Sequence, residues 1–481
     1  MSAKTRGNAG PPVPDAQQLV TDFGGPLLAA TDPLAAELLA ATVLALPYRE
    51  ATDPQVAELF VETLIDAAGR SRSAEAAALL RAIAAVAPPH QRRRAVAALG
   101  SVTRAGFYPP EWAAEIGRVT PREAWRRFDV FEDTETIAVS YGYGEAEHAV
   151  LVQIDKCREP TVLEAMVVND LATLRSALAE DSDPLVRVES LGLADARARL
   201  APALARHPAE TPGLSETTMV SLPVARTRLR RLPADGATEP ARYDAADRAA
   251  AVSEFLGSPQ AADAGDEKVA RFWAEVFAGY SAYVPGDPPA RIGTLKLSQV
   301  LLSYVPHSFA LTDEQRRGLP AAVTAWTRWA AERQRLDQPA ASELDRRLPE
   351  VLDRFDEAYD DPAAALARGY LADVSATTTD AAVLSDVLNR RALAVPLPAE
   401  RDPAAKPLDA ADPAVRRSLV ERAFGECQPP AGMSQPEFVA AAVRVCEQLW
   451  QDDPAELWQR AQQLLAAGTT PHDVIHRLVT V

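Results

Sequence analysis

The sequence predicts a mainly α, multi-helical protein with a small three-stranded α+β module inserted in it. Three observations lead there. Hydrophobic residues make up 47% of the chain but aromatics only 6%, so the core draws on Ala, Leu and Val, which favour closely packed helices over a sheet sandwich. Apolar residues recur at helical spacing along most of the length, often behind a Thr, Ser or Asp that can cap a helix. One stretch, 136–168, breaks this pattern with β-branched and aromatic runs.

At 481 residues the chain exceeds what one hydrophobic core usually supports, so several domains are expected. Residues 1–25 read as a flexible tail, rich in Gly and Pro at its start. A helical domain follows over 26–120. It opens on a near-repeat, Thr31-Asp32-Pro33 and Thr52-Asp53-Pro54, where Thr or Asp caps a helix and Pro takes its first position. Two more helices are predicted over 73–87 and 91–104. Four short antiparallel helices give this part a helical-repeat-like character, although two copies of a capping pattern do not establish a solenoid.

The α+β module spans 121–212. Its strands are predicted over 136–143 and 148–154, joined by a hairpin turn at Gly144-Glu145-Ala146-Glu147, and over 161–168. Residues 171–179 and 193–206 read as helices and 186–189 as extended. A second helical domain is predicted over 213–395, with segments starting at Asp244, Asp266, Thr312 and Ser342 and a Pro-rich joint at Val284–Pro289. The Pro-rich stretch 396–412 reads as a linker to a C-terminal helical subdomain, 413–481.

The formal net charge of −17 and a pI near 5.0 disfavour nucleic acid and anionic membranes as partners at long range. No apolar run reaches the ~20 residues that span a bilayer, and the polar start carries no signal-peptide pattern. Cys157, Cys427 and Cys446 form no CxxC pair and no zinc spacing. A cytoplasmic protein is expected.

Four stretches together resemble a group of uncharacterised proteins of unknown function common in high-GC actinobacteria. They are Pro109-Pro110-Glu111-Trp112-Ala113-Ala114-Glu115-Ile116-Gly117, Asp129-Val130-Phe131-Glu132-Asp133, His148-Ala149-Val150-Leu151-Val152, and the closing Pro471-His472-Asp473-Val474-Ile475-His476. The resemblance covers most of the chain and implies no mechanism. It leads one to expect a glycine in the segment after the second strand, where this chain has Asp155-Lys156-Cys157-Arg158-Glu159-Pro160.

Among candidate sites, His472 and His476 stand four apart on a predicted helix, so both imidazoles can face one divalent metal ion. The group's closing motif is His-(Glu/Asp)-x-x-His, and the Glu spelling belongs to zinc peptidases, where it activates a metal-bound water. Asp473 is a shorter acid, and a third ligand would have to come from Glu447, Glu456 or another domain. Arg226, Arg228, Arg230 and Arg231 form a basic run, with Arg92, Arg93 and Arg94 elsewhere. Without interleaved aromatics it reads first as a solvated, ion-paired helix face and second as a phosphate reader. Trp273, Phe277, Trp326 and Trp329 read as helix–helix core. His148 beside Glu147 is a candidate acid–base group without an accompanying nucleophile signature.

The leading expectation is a protein-interaction adaptor or scaffold, with another protein as partner. The alternative is a metal-dependent, hydrolase-like enzyme using His472 and His476, with a divalent metal as cofactor. The third is nucleic-acid binding through the Arg226–Arg231 helix.

Overall fold

The computed structural model describes residues 16–480 except 51–53, 181, 206–212, 240, 376 and 397–408. The chain divides into two units, Met1–Glu239 and Pro240–Val481. The predicted linker 396–412 lies mostly outside the described residues.

The first unit opens with five helices, α1 (Ala16–Leu28), α2 (Pro33–Glu50), α3 (Pro54–Arg70), α4 (Ala74–Val86) and α5 (Pro89–Arg104). Asp32 caps α2 by accepting from the Ala35 amide at 2.9 Å, and Ser73 caps α4 through the Ala76 amide at 3.2 Å. Helix α1 corrects the reading of residues up to 25 as a tail. Gly24, Gly25 and Pro26 look like helix breakers, yet α1 runs through them and packs on α4. A Cβ at Gly24 would lie 2.6 Å from the Glu75 carbonyl oxygen, so glycine here permits the close helix crossing.

The sheet has five strands, not three: β1 (Thr120–Asp129), β2 (Thr134–Tyr143), β3 (Ala146–Asp155), β4 (Thr161–Val168) and β5 (Val186–Leu191). The order is β4-β3-β2-β1-β5, and every neighbouring pair is antiparallel. Sequence pattern hides β1 because Arg122, Glu123, Arg126 and Arg127 interrupt its apolar residues. Those charges are held in ion pairs: buried Arg126 reaches Glu132, Glu135 and Glu189, and Arg122 reaches Glu147. The extended 186–189 segment is part of the fifth strand, paired to β1.

Helices α6 (Leu171–Ala179), α7 (Leu193–Ala205) and α8 (Glu216–Leu229) complete this unit. The predicted boundary at 212–213 falls inside it, because α8 packs on α2, α4 and β4. Its Thr218 hydroxyl accepts from the Ala165 amide of β4 at 3.1 Å. Repeat arrays contact only their sequence neighbours, whereas α2 packs on a helix far along the chain. One apolar core therefore joins the helices to the sheet, through residues such as Leu64, Ile83, Ile137, Val152 and Leu222.

The second unit is helical: α9 (Ala245–Leu256), α10 (Glu267–Tyr280), α11 (Thr294–Gln299), α12 (Val305–Ser308), α13 (Asp313–Arg333), α14 (Gln338–Asp353), α15 (Phe355–Tyr359), α16 (Pro362–Gly369), α17 (Ala372–Ser375), α18 (Ala381–Ala394), α19 (Pro413–Phe424), α20 (Gln435–Gln451), α21 (Ala455–Ala466) and α22 (Pro471–Leu478). Asp244, Asp266 and Thr312 cap α9, α10 and α13 as expected, while Asp337 rather than Ser342 starts α14. The tryptophans form core: Trp273 and Trp326 are fully buried, and Phe255 meets Trp326 and Trp329 edge-on at 5.2 and 5.7 Å. The Val284–Pro289 joint is folded in rather than loose, since Asp287 is buried against Arg291 and, at 2.7 Å, Lys296. The helices after 413 dock on α18. Arg390 donates to the Trp450 carbonyl at 2.9 Å, and Trp458 donates to Asp386 at 2.8 Å.

Candidate anion-binding site

Four elements of the first unit meet around Arg228. Over 33–46 Glu37 is the one charged residue of α2, which a solvent-facing helix would turn outward; here it is fully buried. A buried carboxylate requires a cation, and α8 supplies Arg228, only 1% exposed. Its guanidinium makes a two-pronged pair with Glu37, Nη1 donating to Oε1 at 3.0 Å and Nη2 to Oε2. The remaining Nε donates to His148 Nε2 at 3.0 Å.

The β2–β3 hairpin brings the rest. Tyr141 pairs directly with His148 in the ladder, and the imidazole stacks on Tyr141 and Tyr143 with centroids 5.8 and 6.0 Å away. Tyr143 Oη accepts from the Gly117 amide at 2.7 Å, anchoring the loop that leads into β1. Burial, and then the charge of Arg228, push the His148 pKa down to about 3. The ring is neutral at physiological pH, with its Nε2 lone pair used by Arg228. This corrects the reading of His148 and Glu147 as an acid–base pair, because Glu147 instead meets Arg122 at 3.2 Å and Arg175 at 3.6 Å.

Beyond Arg228 opens a cavity of about 430 Å³ lined by Arg81, Arg92, Arg228, Arg230 and Arg231, the walls between them being Ala84, Ala85, Ile116, Gly117 and Thr227. Among the described residues no carboxylate lines it. Arg228 is neutralised by Glu37, but the other four carry charge into the space. Backbone carbonyls hold three of them: Arg81 donates to Ala113 at 3.1 Å, Arg92 to Ala87 at 3.1 Å and Arg231 to Gly117 at 2.6 Å. The Nε of Arg92 is buried without a hydrogen-bond partner.

Crowding of like charges shows in the titration of these groups. Burial, with Arg92 and Arg231 nearby, lowers Arg230 to about 10. Burial and Arg231 lower Arg92, and burial and Arg118 lower Arg81. All remain cationic at neutral pH. Arg81 and Arg92 are half-buried and Arg230 and Arg231 exposed at its mouth, and such a cluster suits a phosphate or carboxylate that the planar forks can grip bidentately.

The basic run is thus distributed differently from a solvated face. Arg226 donates to the Leu204 carbonyl at 2.9 Å, Arg228 is interior, and Arg230 and Arg231 line the cavity. Of the other arginines, Arg92 joins the cavity while Arg94 pairs with Asp66 and Glu62 on the surface. Sequence pattern does not single out Arg81. Glu37 does carry a readable signal, as the one charge in the apolar stretch 33–46.

In the second unit, His472 and His476 both lie on α22 and face α19 and α20. His472 stacks on Phe424 at 4.6 Å, its Nε2 3.4 Å from Cys427 Sγ. His476 packs on Phe438 at 4.8 Å, its Nε2 3.0 Å from the Gln428 carbonyl. Glu447 is paired with Arg416 at 2.8 Å. Among the described residues, no three His, Cys, Asp or Glu side chains converge as a metal site would require. Asp155 of the glycine-free segment accepts from the Cys157 amide at 2.8 Å, and the Cys157 thiol lies 3.1 Å from Asp133. Among the described residues, no helix is long and apolar enough to cross a membrane.

The chain matches no protein-family model, no curated protein and no solved structure.

Proposed function

We propose that the first unit is a receptor for a small anionic molecule carrying a phosphate or carboxylate group. The observation that supports this reading is the cavity of about 430 Å³ lined by five arginines, with no carboxylate in its lining and only Arg228 ion-paired among the described residues. Its size falls within the range of small-molecule sites. Arg81, Arg92, Arg230 and Arg231 are the binding residues. Glu37, His148 and Tyr143 hold the wall in place without reaching the ligand. Three free cysteines suit a reducing cytoplasm, which is part of the proposal.

This reading is more specific than a protein-binding adaptor, and it assigns the Arg226–Arg231 run to a concave site instead of a nucleic-acid groove. A metal-dependent hydrolase at His472 and His476 draws no third ligand from the described residues.

Isothermal titration calorimetry of the full chain with inorganic pyrophosphate at low salt tests it. Binding is expected, and Arg230→Ala or Arg92→Ala weakens it about tenfold or more, the usual loss for one charge-assisted hydrogen bond. Absence of binding at low ionic strength, or unchanged affinity in both variants, would overturn the proposal.

A further inference from the structure

A second cavity, of about 290 Å³, shares Arg230 with the first. Its walls come from α2, α3, α4, α5, α7 and α8 and include Leu44, Val61, Val86, Leu204, Met219 and Pro223. The polar groups at its border include Arg226, Arg230 and no carboxylate. Arg226 is engaged with the Leu204 carbonyl. Arg230 lines both cavities, and α5 contributes to each, through Pro89 and Gln91 to the second and Arg92 to the first.

An apolar chamber sharing a guanidinium with a cationic chamber has the polarity of an amphiphile. We infer that the two cavities hold one ligand, a single-chain amphiphile whose anionic head lies among Arg81, Arg92, Arg230 and Arg231 and whose alkyl chain lies against Val61, Val86 and Met219. This rests on the anion-receptor reading and names the class of its ligand. Burying the chain in the second cavity removes apolar surface from water at roughly fourfold in affinity per methylene. Arg230 at the junction supplies the charge that pins the head beside the chain. Charge complementarity selects this occupant over a neutral lipid.

The test compares n-octyl phosphate, octanoate, inorganic phosphate and n-octanol as probes of the full chain, each below its micelle concentration. Octyl phosphate is expected to bind at least about 100-fold more tightly than inorganic phosphate, and far more tightly than octanol. Met219→Trp, at a half-buried position on the apolar wall, removes that gain while leaving inorganic phosphate unaffected. Ala205→Phe, at an exposed position on the same wall, does the same, with melting curves showing that both variants fold. Octanoate in place of octyl phosphate reports whether the head site prefers a carboxylate, and a chain-dependent gain with either head supports the inference. If inorganic phosphate binds but the chain adds nothing, or if both wall variants keep the full gain, the two-cavity ligand is wrong while the anion receptor stands. Octanol binding as tightly as octyl phosphate also overturns it. If no anionic probe binds at all, the anion receptor itself fails.

Discussion

Glu37 and Arg228 show how one side chain's placement depends on another 191 positions away. Each alone is a buried charge that the interior would reject; together they form a two-pronged pair with a third contact to a neutral histidine. Glu37→Gln is expected to destabilise the first unit by about 3–5 kcal/mol, since it leaves Arg228 charged and unpaired. Urea denaturation read at the hairpin tyrosines measures it. Replacing both partners, as Glu37→Leu with Arg228→Met, should cost much less. His148 gives a pH signature. Its folded pKa, about 3, lies below the ordinary 6.5 because burial and Arg228 oppose its charging. The unfolded chain therefore binds the extra proton between these values. Stability from this group is complete above about pH 6.5 and falls as the pH drops toward 3, by up to roughly 4 kcal/mol. The groups facing it are Arg228, Tyr141 and Tyr143, with Glu37 behind Arg228, so the change belongs to the imidazole. Melting temperatures between pH 4 and 7 should fall less steeply in His148→Gln, which keeps an acceptor for Arg228. Equal slopes would assign the acid sensitivity to carboxylates elsewhere.

Among the elements, the helices were the most readable and the sheet the least. Helices α2 and α4 and the caps of α9, α10 and α13 declare themselves through Asp, Ser or Thr before an apolar period. β1 does not, because its charged residues are satisfied by partners such as Glu135 and Glu189, which lie on other strands and carry no mark in its own sequence. α1 was concealed by Gly24, Gly25 and Pro26, and the purpose of Gly24, close contact with α4, exists only in three dimensions. The same limit governs the site: the arginines of α8 are visible in sequence, but their division between interior, carbonyl and cavity is set by α2, α4 and the hairpin. At this scale α8 is the joint between helices and sheet. Thr218→Val should leave the Ala165 amide without its partner and cost about 1–3 kcal/mol, visible as faster hydrogen exchange along β4. Unchanged exchange there would show that α8 is held by apolar contact alone.

For the whole molecule, the division at Glu239 assigns the arginine cavity and the apolar cavity to one self-contained core. A fragment of residues 1–239 should therefore unfold in a single cooperative transition and bind pyrophosphate as the full chain does. A fragment without a transition would mean that this core needs the second unit. The chain carries a net charge of −17, so polyanions are repelled at long range while a small anion interacts with the local field of the arginines within roughly 8 Å, the screening length at physiological salt. The cysteines have a practical consequence. Cys157 is buried beside Asp133, and Cys446 is buried with its thiol pushed up to about 12 by desolvation. Cys427 alone of the three is partly exposed, next to His472 at the seat of α22. The unaltered chain thus offers one position for a maleimide dye, and that dye would report on the last helix of the second unit, leaving the first unit's cavities unmarked.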